Sequence, residues 1–137
     1  MTYDELLYEA DSTGIIVKEK NITGYGGRIY GNRIAIHNGL DTTTEKTCVL
    51  AEELGHYHTT VGDITDLSDF QNRKQERQAR LWGYNKLIGL TGLISAFHAG
   101  CHSRHETAEY LDVTEEFLQE CIDCYTAVSY THLRAHE

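Results

Sequence analysis

Two adjacent carboxylates, Glu52 and Glu53, precede His56 in the stretch Val49-Leu50-Ala51-Glu52-Glu53-Leu54-Gly55-His56, and Glu76 follows twenty positions after His56. On an α-helix, residues four apart stand one turn apart on a single face, so Glu52 and His56 can reach one ion together. Glu53 falls beside that face, where a carboxylate can hold and deprotonate an attacking water. A catalytic zinc site needs three protein ligands, an open position and a base near the water. Glu52, His56 and Glu76 supply the ligands, and Glu53 supplies the base. The usual zinc hydrolase signature has His at both ligand positions with Glu after the first, so Glu52 stands where an imidazole is customary. A lone Glu-x-x-x-His pair is ordinarily a solvated helix face. Here it comes with its own neighbouring carboxylate, a glycine beside the His, and a downstream Glu-x-x-Ala at 76–79.

The carboxylate at 52 has a cost in charge. Two carboxylates and one neutral imidazole bring the formal charge of a divalent site to zero, whereas two imidazoles and one carboxylate leave it at +1. A less positive site polarises water less, so slow hydrolysis at neutral pH is expected, and Mn²⁺ should compete better with Zn²⁺ than usual. His58 lies about 200° round the helix from His56, on the wrong face for the same ion. His37 ends a strand leading into the motif helix, where a solvated strand end is the default reading. Cys121-Ile122-Asp123-Cys124 has CxxC spacing and could join Cys101, His102 or His105 in a second metal site. On a helix with no second CxxC, buried thiols are the expected outcome.

These residues need a scaffold. Residues 2–11 alternate at helical spacing. Residues 14–18 are rich in β-branched side chains and read as a strand, and Arg28-Ile29-Tyr30 and Arg33–His37 read as two strands around Gly31-Asn32. A small antiparallel sheet is expected, with Arg33–His37 at its edge. Hydroxyls and carboxylates at 41–45 offer N-caps for a helix to about Thr59, with Leu50, Leu54 and Tyr57 as its core stripe. After a polar loop containing Gly62-Asp63 and the run Asp66 to Asp69, helical periodicity resumes over 70–88. Glu76, Ala79 and Gly83 share a stripe there, and the two small residues allow the close approach that a short carboxylate requires. Further helices are expected over 90–99, 104–111 and 114–125. The pair spanning 104–125 resembles a helix-turn-helix, but its second helix carries Glu115, Glu116, Glu120 and Asp123 and no Lys or Arg, so it is expected to dock protein and not DNA.

The chain of 137 residues is one domain's worth. Twelve basic against 21 acidic residues give a net charge of −9, which disfavours nucleic acid and anionic lipid as partners. The acidic N-terminus and short apolar runs show neither signal peptide nor membrane span, and cytoplasmic residence is expected, with the four cysteines as free thiols. Residues 128–137 resemble the conceptual translation of a sequencing-library adapter. They are set aside, with His132 and His136, on the expectation that the natural chain continues differently after about Ala127.

The sequence resembles the ImmA/IrrE family of gluzincin-like metallopeptidases of bacteria, prophages and mobile elements. The likeness rests on Leu50 to Tyr57, on Thr59-Thr60-Val61-Gly62-Asp63, on Glu76-Arg77-Gln78-Ala79 and on Leu111 to Glu116, and covers roughly residues 3–126. It implies zinc held by the leading residue of the first motif, by His56 and by Glu76, with Glu53 as catalytic base. Glu52 departs from the family's leading His, and Arg80 stands where a smaller polar residue is common. The resemblance also implies a partner: a helix-turn-helix transcriptional repressor encoded nearby. Together these readings predict an α+β domain with a zincin-like active-site helix packed on the sheet, divided into a metallopeptidase core at 1–89 and a helical section at 90–127. The expected function is zinc-dependent endopeptidase action on a repressor of a phage or mobile element, with substrate extended along Arg33–His37. Arg80, Tyr57 and Tyr84 are unranked candidates to steady the oxyanion. The alternative is a non-catalytic antirepressor that binds the repressor on a degenerate peptidase scaffold.

Overall fold

A computed structural model describes the backbone of residues 1–60 and 70–135 and the side chains of 1–60 and 73–128. The expected loop containing Gly62-Asp63 and Asp66 to Asp69 lies outside these residues. The chain opens with α1 (Tyr3–Ser12), whose N-cap Thr2 accepts a hydrogen bond from the Glu5 amide and which buries Leu6 and Ala10. The first strand begins later than the β-branched run suggests. Gly14 adopts φ 81°, the Ile15 amide closes onto the Ala10 carbonyl, and Ile15 is spent as a buried helix stop. The strands are β1 (Ile16–Lys20), β2 (Gly27–Tyr30) and β3 (Arg33–His37).

The sheet is mixed, in the order β1-β3-β2: β1 runs parallel to β3 with Ile16 opposite Arg33, and β2 pairs antiparallel with Tyr30 opposite Arg33. Gly31, at φ 60°, takes the first position of the two-residue hairpin turn between β2 and β3. The expectation of an edge strand at Arg33–His37 is therefore corrected, because β3 is the centre of the sheet and both its sides are paired. The reason is burial. Ile34 and Ile36 are 2% and 0% exposed, and a strand with two fully buried branched side chains belongs in the middle. Lys18, Lys20, Arg28 and Arg33 alternate out of the sheet with exposed Ile16 and Tyr30, while Val17, Ile29, Ile34 and Ile36 face the core.

The helix α2 (Thr43–Thr59) starts at Thr42, whose side chain accepts from the Glu45 amide while the Glu45 carboxylate accepts from the Asp41 amide. It buries Thr47, Cys48, Leu50, Ala51, Leu54, Gly55 and His56. Tyr57, expected in the core stripe, is 37% exposed; the buried arc is rotated toward Ala51 and Gly55, because α3 (Phe70–Leu87) packs there. After α4 (Gly89–His98) and α5 (Arg104–Leu111), the chain turns at Asp112, φ 56°, and enters α6 (Glu115–Ala135). Helix α6 outruns the expected 114–125, since nothing from 126 to 135 is a Gly or Pro that would stop it. Thr44 donates to the Asp112 carboxylate and Tyr84 donates to Glu120, so α6 and its turn are tied to α2 and α3. A single buried cluster runs from Leu6 through Ile34, Leu50 and Leu54 to Leu118 and Cys121.

Candidate metal centre

Helices α2 and α3 touch backbone to backbone. A Cβ added at Gly55 would lie 2.1 Å from the Ala79 carbonyl oxygen, and one at Gly83 would lie 3.3 Å from the Ala51 oxygen. Ala79 itself is fully buried. That approach lets a residue on α3 share a site with residues one turn apart on α2.

Glu52, His56 and Glu76 converge, each offering a ligand atom within 4.8 Å of the others. Nε2 of His56 stands 3.2 Å from Oε2 of Glu76. Two ligands about 2.1 Å from an ion in a tetrahedral site stand roughly 3.4 Å apart, so this pair has the spacing of co-ligands and Glu52 needs only a small inward movement. His56 is 8% exposed, and its Nδ1 is buried without a hydrogen-bond partner among the described residues. With Nε2 turned into the cluster, Nδ1 carries the proton in the neutral, ligating form. One imidazole and two carboxylates are a donor set that suits zinc and tolerates manganese.

Arg80 is the second member of the group from α3. Its Nε lies 3.5 Å from Oε1 of Glu52 and 3.5 Å from Oε1 of Glu76, the latter one turn earlier on the same helix. Burial works against the guanidinium's charge, but Glu52 and Glu76 outweigh it and hold the charge firmly. At Glu52 burial pushes the carboxyl above its ordinary range, and Arg80 pulls it back in part.

Glu53, the expected base, stands outside the ligand group. Its side chain packs under β2: a Cβ at Gly27 would come within 3.0 Å of its Cγ. Burial, then the negative charges of Glu52 and Glu76, push the Glu53 carboxyl up to about 7, the range in which a carboxylate can both take and return a proton near neutral pH.

Of the oxyanion candidates, Arg80 alone reaches the cluster. Tyr84 is buried, donates to Glu120 and packs edge-on against Phe117, and the exposed Tyr57 sits edge-on to His58. His58 stacks on Trp82 at 4.8 Å, away from the cluster. His37 accepts from the Ile22 amide through Nδ1 and fastens the loop before β2. Cys121 is buried, with its thiol pushed up to about 11 by desolvation, and His105 pairs with Glu109 and Glu115. Among the described residues, no metal-ligating group forms around Cys121 and Cys124.

A helix bearing an imidazole and two carboxylates, laid on a small sheet and joined by a carboxylate from the next helix, is an arrangement able to hold a divalent ion. The sequence matches Peptidase_M78, the IrrE N-terminal-like domain, over residues 10–122. The chain belongs to that family. No curated protein and no solved structure matches it significantly.

What sequence reasoning missed is the reach of Arg80 across to Glu52 and the contact of Glu53 with β2. The first had a signal, since Arg80 follows Glu76 by one helical turn. The second depends on strand order.

Proposed function

We propose that this protein is a metal-dependent endopeptidase in which Glu52, His56 and Glu76 hold Zn²⁺, with Mn²⁺ as a competent substitute, and Glu53 is the general base. The observation that carries the reading is the convergence of those three ligand atoms within 4.8 Å, next in sequence to a half-buried carboxylate raised to about 7. A divalent ion held there polarises the scissile carbonyl. Glu53 takes the proton from the attacking water and returns it to the leaving amine. The substrate pairs with the outer edge of β2, which no strand among the described residues covers, in place of the central β3; β2 lies directly over Val49 and Glu53 of the active-site helix. The resemblance of the sequence to the ImmA/IrrE family supports a cytoplasmic role against a helix-turn-helix repressor of a phage or mobile element. No helix among the described residues is long and apolar enough to cross a membrane.

The test is Glu53→Gln, which keeps the side chain's shape and removes the base. Zinc content, intact repressor on a gel and reporter derepression are measured side by side with the wild type. Zinc should remain, and cleavage should fall by at least about two orders of magnitude. Undiminished derepression with the repressor intact in both chains would instead identify a non-catalytic antirepressor that sequesters its target.

A further inference from the structure

A zincin with two imidazoles and one carboxylate carries a formal +1 at its ion. With Glu52 in place of an imidazole, the donors of this chain leave zero. Arg80 sits where the missing charge is needed. It is fixed on α3 one turn from Glu76, and its Nε is equidistant, at 3.5 Å, from one oxygen of each ligand carboxylate. Among the described residues no other Lys or Arg pairs with Glu52 or Glu76.

The two oxygens of Glu76 are divided. Oε2 faces His56 Nε2 at 3.2 Å, and Oε1 faces Arg80. The guanidinium therefore takes the oxygen that the imidazole does not, and Arg80 and an ion on the His56 side can be bound to the same carboxylate at once.

We propose that Glu52 and Arg80 act as one unit that stands in for a neutral ligand: Arg80 returns the positive charge that a carboxylate at 52 removes, and it positions the Glu52 and Glu76 carboxylates toward His56. The inference rests on the metal-site reading above. Arg80 is a positioning residue, acting through the two carboxylates. It has one consequence that charge counting on the three donors alone gets wrong. Restoring the customary imidazole by Glu52→His does not restore the customary site, because the guanidinium is left with one carboxylate and the site becomes overcharged for a divalent cation.

A double-mutant cycle tests this with the full chain: wild type, Glu52→His, Arg80→Gln and the double variant, each titrated with Zn²⁺ and with Mn²⁺ against a chromophoric chelator. The readout is the dissociation constant, so activity is not needed, and any general effect of Arg80 on folding appears in both backgrounds and cancels. Removing Arg80 should improve zinc affinity about three- to tenfold more in the Glu52→His background than beside Glu52, the size of coupling expected of half-exposed charges in one network. Arg80→Lys, which keeps the charge without the fork, should retain most of that difference. An equal change in both backgrounds, or a coupling of opposite sign, overturns the inference while leaving the metal site standing. Failure of all four chains to bind either ion overturns both.

Discussion

Glu53 carries the widest consequences of any single residue, because the same burial that suits it to proton transfer makes it a liability in the folded chain. Its carboxyl is held at about 7 in the metal-free protein, against an ordinary value of 4.5. Between those values the folded state binds the proton that the unfolded state has released. The group's stabilising contribution is therefore complete below about 4.5 and is lost as pH rises through about 7. We expect the urea midpoint of the metal-free wild type to fall relative to that of Glu53→Gln across this interval, and a difference between the two chains that does not vary with pH would count against burial of Glu53. The proposed role of Glu53 rests on the order of residues, since it follows Glu52 directly and precedes His56 by three. Its burial was not legible there, because the surface that covers it comes from Gly27, twenty-six positions earlier.

Helices were more legible than strands. The spacing of caps and apolar residues places α2 and α5 within a residue or so of where they lie, since each helix satisfies its backbone locally and advertises its ends through Thr42 and Ser103. Strand order has no such local signature. What signal there was lay in composition: β1 carries Lys18 and Lys20 and β2 carries Arg28, charges typical of exposed edges, while β3 presents two buried isoleucines. The α2–α3 contact was half legible. Ala79 and Gly83 were readable as a close-approach stripe, but the tighter point is Gly55, whose place beside His56 concealed its structural duty. Gly55→Ala gains up to about 1 kcal/mol of helix propensity. It also drives a methyl into the Ala79 carbonyl, so a net destabilisation of about 1–3 kcal/mol is expected. Zinc affinity should fall with it, as Glu76 retreats from His56. Gly83→Ala meets its neighbour at 3.3 Å and should be much milder in both thermal melting and zinc titration; equal effects at the two positions would show that the Gly55 contact does not set the helix spacing.

At the scale of the whole molecule, one continuous core links the sheet, α2 and α6, so unfolding should be a single cooperative transition that any ligand of the folded state shifts. Zinc at a hundred times its dissociation constant should add about 2.7 kcal/mol to stability, read as a rise in melting temperature that a chelator reverses and that Glu76→Gln largely abolishes. The 3.2 Å contact between His56 and Glu76 also has a topological meaning. It joins two points twenty residues apart in the chain, and an ion shared between them is a removable cross-link that closes those residues into a ring. Ring closure costs entropy that grows only slowly with loop length, so chain length between the two ligands is a weak constraint on this site. The width of the gap between α2 and α3, set by a glycine and an alanine, is the strong one.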